Sequence, residues 1–288
     1  MVDACFAALP EWYDANARDL PWRSSGVTPW GVLVSEVMLQ QTPAARVAPV
    51  WQQWIDRWPA PVALAAEPPG EAVRAWGRLG YPRRALRLRE SAVAMVERHD
   101  GEVPSSYDDL LALPGIGGYT AAAVATFGFG QRHAVLDTNV RRVLARVIRG
   151  EAGARSSAPT VAERAEALAL VPDAAPGRHS IAVMELGAVI CTATAPRCSA
   201  CPLEVSCAWH RLGRPDGPPA RRPQRYAGTD RQVRGRLLAV LRDATGTVDQ
   251  RSLDEVWDDV AQRERALAGL IADGLVEPAG TDHYRLPT

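Results

Sequence analysis

The sequence predicts an all-α body followed by a small α+β tail. Two observations predict the body. Up to about residue 211, apolar residues recur at helical spacing and almost no stretch alternates with the period of a strand. The helix-forming runs are divided by short turns built on glycine and proline, of which Pro114-Gly115-Ile116-Gly117-Gly118 is the tightest. A third observation predicts the tail. Residues 212–229, rich in Pro, Gly and Arg, read as an exposed linker, and residues 230–288 then read as three helices and a β-hairpin, the order of a winged helix.

The first helix is expected at 4–17, and Leu20-Pro21-Trp22-Arg23 begins a loop through Pro29. WGVLVSEVMLQQ, Trp30 to Gln41, is a helix with Val32, Leu33, Val37, Met38 and Leu39 on a broad apolar face. Glu36 falls within this apolar stretch. A carboxylate there is costly unless it is paired or functional; the other reading turns it to solvent. Thr42-Pro43 restarts a helix through about Trp58, with Val47, Val50, Trp51 and Trp54 read as core. A short helix at most lies in 59–70, a helix at 71–79 ends at Gly80, and a basic helix covers 85–99. Arg83, Arg84, Arg87 and Arg89 form either a solvated face or a phosphate-facing one. Helices at 107–113 and 119–127 flank the glycine turn, and Asp137 opens a helix carrying Arg141, Arg142 and Arg146. After a small-residue loop at 150–159 come helices at 161–170 and 179–190, the second running into Cys191. In the tail, helices are expected at 231–243, 252–260 and 262–273, with hairpin strands at 275–277 and 283–286.

A hydrophobic content of 47% and a charged content of 23% fit a globular protein, and no apolar run is long enough to cross a bilayer. The N-terminal stretch lacks the basic start and long apolar core of a signal peptide, so a cytoplasmic protein is expected. Net charge is zero, which argues neither for nor against nucleic acid. The kind of cation is more telling. All 33 basic residues are arginine. No lysine side chain is present to form a Schiff base, and arginine is the better fork for phosphate oxygens.

The glycines of the 114–118 turn permit backbone conformations barred to other residues and leave amides bare at a helix N-terminus, where a phosphate can sit. The bland alternative is an ordinary αα-turn. Four of the five cysteines, Cys191, Cys198, Cys201 and Cys207, follow the spacing C-x6-C-x2-C-x5-C; Cys5 stands apart. Four thiolates so close in sequence can enclose a zinc ion or an iron–sulfur cluster. Only one C-x2-C pair is present, and the compact, asymmetric spacing fits the four corners of a [4Fe–4S] cube better than zinc.

Several of these segments together resemble the helix-hairpin-helix DNA glycosylases of the endonuclease III superfamily, and within it the adenine DNA glycosylase (MutY) branch. The resemblance covers about 20–207 and rests on Leu20-Pro21-Trp22-Arg23, the run Ser35-Glu36-Val37-Met38-Leu39-Gln40-Gln41-Thr42, Leu79-Gly80-Tyr81, the 114–117 hairpin, Leu136-Asp137-Thr138-Asn139-Val140, Met184-Glu185-Leu186-Gly187-Ala188 and the four cysteines. It implies a six-helix barrel at 27–133, an iron–sulfur domain made from 1–26 and 134–211, a linker at 212–229 and a winged-helix-like domain at 230–288. It implies Glu36 as a general acid protonating N7 of adenine, and Asp137 as partner of the oxocarbenium-like sugar. A carboxyl on an apolar face can hold its proton near neutrality. Tyr119 and Asn139 match residues that support this centre. Trp22, Arg23 and Leu39 would line the pocket for a flipped adenine. Gln41 and Tyr81 would push into the duplex, with Thr42, Gly115, Gly117 and Arg141 among the DNA contacts. The four cysteines would hold a [4Fe–4S] cluster. The substrate implied is double-stranded DNA with adenine opposite 8-oxoguanine or guanine, acted on by a monomer with no membrane partner. Tyr119 stands where bifunctional relatives carry a Schiff-base lysine, which implies a glycosylase without lyase activity.

The chain departs from the family pattern in three places. The 59 residues from Asp230 to Thr288 are too few for the Nudix-like domain that reads 8-oxoguanine in many members, which needs on the order of a hundred. Pro82 replaces a frequent second tyrosine, and Ile181 replaces a frequent Glu or Gln near the adenine pocket. Two other functions compete: a thymine or uracil mismatch glycosylase of the same fold, and a non-enzymatic iron–sulfur regulator reading DNA through the winged helix.

Overall fold

The computed structural model describes residues 6–217 and 226–288; Cys5, the start of the expected first helix and the middle of the expected linker lie outside the described residues. Among the described residues, twelve α-helices precede the tail: α1 (Leu9–Asn16), α2 (Pro29–Leu39), α3 (Ala44–Arg57), α4 (Pro61–Ala65), α5 (Pro69–Trp76), α6 (Arg83–Arg98), α7 (Tyr107–Leu111), α8 (Gly118–Phe129), α9 (Thr138–Leu144), α10 (Val161–Leu170), α11 (Pro176–Val189) and α12 (Ala208–Arg211). The tail holds α13 (Asp230–Asp243), β1 (Val248–Asp249), α14 (Gln250–Asp254), α15 (Val260–Ala272), β2 (Glu277–Pro278) and β3 (His283–Arg285). Its antiparallel sheet has the order β1-β3-β2, with Val248 opposite Tyr284 and Glu277 opposite Arg285. The all-α body and the α+β tail are therefore as expected. β1 was not foreseen, because two residues are too short to show a period.

The described residues pack as two compact units. One comprises the chain through Ser25, residues 105–111 and the chain from Gly117 to 217. The other comprises Gly26–Pro104, Ala112–Ile116 and the tail. This division runs elsewhere than the boundaries drawn from sequence. It groups α8 with the cysteine-bearing unit and the tail with α2–α6. For α8 the reason is its small-residue surface: Ala122 and Ala123 pack with Val135, Tyr119, Phe127 and Met184.

In the unit holding α2, tryptophans organise the core. Thr28 caps α2 by accepting from the Gly31 amide at 3.2 Å, with Pro29 at the first position, where its missing N–H costs nothing. Every residue from Trp30 to Met38 is buried. The Trp30 indole donates to the Trp58 carbonyl and the Trp51 indole to that of Gly31, both at 2.9 Å. Trp54 meets Trp58 and Trp76 edge-on. α5 ends earlier than expected: Gly77, at φ +54, takes the C-terminal position rather than Gly80.

The tail joins this unit through shared core. Val73 of α5 is fully buried among Val233, Leu237, Leu241, Leu270 and Leu286. The Gly70 amide donates to the Pro287 carbonyl at 2.7 Å, and a Cβ at Gly70 would lie 2.6 Å from that oxygen. Arg74 donates to the carbonyls of Arg242 and Ala244, and Arg242 donates back to that of Val73.

In the other unit, α9 and α11 pack together around Val140, Val143, Val183 and Leu186, and α1 adds Leu9. α9 runs on into a wide π turn, Ala145–Arg149, closed by Gly150 at φ +71.

Candidate active site and nucleic-acid interface

Within the α2 unit, Glu36 is buried in the apolar helix, so the solvent-facing alternative does not hold. Leu39 is half-buried at the end of α2. Gln41 and Tyr81 are both exposed, and both hold φ +56, a left-handed backbone uncommon outside glycine. Thr42 is buried, and its hydroxyl accepts from Arg84 Nη2 at 3.1 Å. Gly115 sits at φ +76, and a Cβ there would lie 2.7 Å from Arg87 Cβ. The Ser91 hydroxyl donates to the Pro114 carbonyl at 2.5 Å and holds the turn to α6.

The basic face of α6 is partly exposed, at Arg83 and Arg87, but its arginines are paired within the protein. Arg83 pairs with Asp273 of the tail, Arg87 with Glu90, and Arg89 donates to the Glu67 and Ala65 carbonyls. Burial lowers the Arg84 guanidinium to about 10, which leaves it charged at neutral pH.

In the cysteine-bearing unit, Gly117 is the N-cap of α8 at φ −100, and no protein atom lies within 4 Å of a Cβ placed there. Tyr119 lies in the first turn of α8, against Ala122 and Val135. Asp137 is the N-cap of α9. It accepts from the Val140 amide at 2.6 Å and from Asn139 Nδ2 at 2.8 Å. Burial holds its carboxyl above the ordinary range, against the lowering effect of those bonds and of Arg142.

Asn139 is itself held. Its Oδ1 accepts from Arg142 Nη2 at 2.7 Å, while Arg142 also donates to the Gly187 and Cys191 carbonyls at 2.6 and 2.7 Å. Arg142, Asn139 and Asp137 thus form one hydrogen-bonded chain. Gly187 makes it possible, since a Cβ there would lie 2.8 Å from Asn139 Cβ.

Trp22 is buried in a single 3-10 turn, Pro21–Arg23. Arg23 Nη1 donates to Glu185 Oε2 at 2.8 Å, and Arg18 grips the same carboxylate with Nε at 2.6 Å and Nη2 at 2.9 Å. Burial works to raise the fully enclosed Glu185 carboxyl, but the two guanidinium groups bring it below its ordinary value. Glu185 and Arg142 were named from sequence without a role at the site, and Arg18 was not named. For Glu185 the signal existed: a carboxylate inside an apolar helix, the same argument that marked Glu36.

Arg141 requires a correction. Expected among the DNA contacts, it is buried, pairs with Glu163 at 3.0 Å and donates to Ser156 and the 157–158 carbonyls. It organises the 150–159 loop from within. The loop's small residues gave no hint that a guanidinium lay beneath them.

Cys191, Cys198, Cys201 and Cys207 line one recess with Arg146, Leu186, Ile190 and Trp209. Burial pushes the Cys201 thiol to about 11 and raises that of Cys207, and the neighbouring cysteines add to both shifts. Ionising the set together therefore calls for a cationic group among them. Arg146 stacks on Trp209 and donates to Cys191 Sγ at 3.3 Å and to the Thr192 carbonyl at 2.7 Å. Among the described residues no three His, Cys, Asp or Glu side chains form a group set for a metal ion.

Residues 34–168 match the family described as HhH-GPD superfamily base excision DNA repair protein. The chain is 54% identical, over 96% of its length and 94% of the relative's, to a protein of Mycolicibacterium smegmatis named adenine DNA glycosylase. A human protein of the same name is 42% identical over 72% of this chain, which spans 39% of that relative. Among solved structures, a thermostable thymine-DNA glycosylase is 26% identical with a TM-score of 0.67, covering 73% of this chain and 97% of its own.

Proposed function

Because this chain belongs to the adenine DNA glycosylase family, we propose that it removes adenine from duplex DNA where adenine stands opposite 8-oxoguanine or guanine. The observation that carries the reading is Glu36: a carboxyl buried in a helix whose residues 30–38 are all buried. Protonating a purine leaving group calls for an acid shielded from water in this way. In this reading Glu36 protonates N7, and the glycosidic bond breaks with its electrons passing to the base. Asp137, fixed by the Val140 amide and by Asn139, offsets the positive charge left on the sugar until water adds. In this reading Trp22, Arg23 and Leu39 each contact the flipped base, and Glu185 keeps the Arg23 guanidinium oriented. Gln41 and Tyr81 wedge into the duplex, and the turn at Gly115 and Gly117 holds a phosphate.

The chain contains no lysine, which supports base removal without β-elimination. Four cysteines around one recess fit a [4Fe–4S] cluster, which would be held by Cys191, Cys198, Cys201 and Cys207. When bound it would supply folding stability to the segment around α12.

The test is excision from duplexes holding A:8-oxoguanine, A:G, T:G or only normal pairs. Abasic sites are expected in the first two, with strand breaks appearing only after alkali. Glu36→Gln is expected to lower the single-turnover rate at least about 10²-fold. Thymine release without adenine release would overturn the reading, and so would an undiminished Glu36→Gln variant.

A further inference from the structure

We propose that Arg84 is a positioning residue that locks the two turns bearing Gln41 and Tyr81 together, so that both side chains enter the duplex as one wedge. The inference rests on the wedge reading above and adds what enforces it. Gln41 and Tyr81 are non-glycine residues in the left-handed region. Such a backbone is unfavourable for a residue with a side chain and persists only where its surroundings over-determine it.

The Arg84 guanidinium supplies that determination from one point. Its Nη1 donates to the Val37 carbonyl at 2.6 Å and the Met38 carbonyl at 3.2 Å, in the last turn of α2, where carbonyls lack helical partners. Its Nη2 donates to Thr42 Oγ1 at 3.1 Å and to the Gly80 carbonyl at 2.7 Å. Thr42 follows Gln41 directly, and Gly80 directly precedes Tyr81. The guanidinium carbon also lies 5.2 Å from the Trp76 ring centre and 5.6 Å from that of Tyr81.

A second tie reinforces the first. Arg46, at the start of α3, donates to the Arg78 carbonyl at 2.7 Å, again joining the Gln41 side to the Tyr81 side. The Trp76 indole shares the Gly80 carbonyl at 3.2 Å. A planar fork is required to reach four acceptors on two segments. A lysine, with its charge on one atom, cannot span them.

The experiment places 2-aminopurine at the target position opposite guanine and reads its fluorescence rise as a measure of flipping. Single-turnover excision from A:G and affinity for undamaged duplex are measured beside it. Arg84→Lys is expected to lose the fluorescence rise and to slow excision about tenfold, with affinity for undamaged duplex within about twofold. Gln41→Ala and Tyr81→Ala should each impair flipping in the native background, and each should cost little further in the Arg84→Lys background. Thr42→Val, which removes one acceptor without opening a cavity, should give a smaller loss of the same kind and carries the test if Arg84→Lys does not fold.

Normal flipping in both Arg84→Lys and Thr42→Val, with Gln41→Ala and Tyr81→Ala impaired, would overturn the positioning role and leave the wedge reading standing. Normal flipping in Gln41→Ala and Tyr81→Ala would remove the wedge reading and this inference with it. An equal loss of excision and of undamaged-duplex affinity in Arg84→Lys would reduce Arg84 to a general DNA contact and overturn the inference.

Discussion

Asp137 is both a helix cap and a buried carboxyl, and the two roles pull its titration in opposite directions. Burial wins, so its folded-state pKa lies above its unfolded value. A raised group contributes stability that is fully present below the unfolded pKa and is lost as pH rises through the folded one. Above that window the ionised side chain weakens the fold relative to a neutral isostere. Asparagine still caps α9 but sets its amide against that of Asn139, a clash that does not titrate. The melting temperature of Asp137→Asn, measured against the native protein, should therefore climb as pH rises from about 4 through the Asp137 titration and then level off. The variant should lose at least about 10²-fold in excision rate. A difference that stays flat with pH would show that burial does not govern this carboxyl.

The hairpin between α7 and α8 separates glycine's two uses. At Gly115 the need is internal: φ is +76 and Arg87 Cβ would touch any side chain. At Gly117 it is external: φ is −100, and the space where a Cβ would sit is open. Gly115→Ala should cost about 1–3 kcal/mol in denaturant unfolding. Gly117→Ser should leave stability within about 0.5 kcal/mol, because serine is a favoured N-cap. It should nonetheless weaken duplex binding about tenfold, since its hydroxyl would occupy the first-turn amides that a phosphate requires. Unchanged binding by Gly117→Ser would remove the phosphate site.

At the scale of the whole molecule, the tail belongs to the α2 unit and does not behave as an appended reader. In winged-helix proteins that bind DNA by helix-turn-helix docking, the later helix meets the groove. Here α15 exposes Ala261, Glu264, Arg265, Ala268 and Ala272, and Arg265 pairs with Asp230 at 3.1 Å. That surface offers little to phosphates and weighs against the non-enzymatic regulator. The tail instead covers Val73 of α5 and packs on Leu86 of α6, the helices that flank Tyr81. Ending the chain at Gly228 should uncover Val73, at about 1.5–3 kcal/mol for that side chain alone, and lower the melting temperature by roughly 5 °C or more. An unchanged melting temperature would return the tail to the status of an independent domain.

The sequence by itself determined what is local. It carried the all-α body and α+β tail, the cap at Asp137, the glycine turn, the four-cysteine spacing and the placing of an acid within an apolar helix, because periodicity, capping and backbone freedom act over a few residues. Only the tertiary structure decided which arginines are free. Arg141 lies beneath a loop 15 to 17 residues away and pairs with α10 at Glu163, Arg84 holds two turns, and Arg18 and Arg23 converge on Glu185 more than 160 residues distant. A buried charge takes its partner from whichever element folds against it, and that choice is made by the packing of the whole unit.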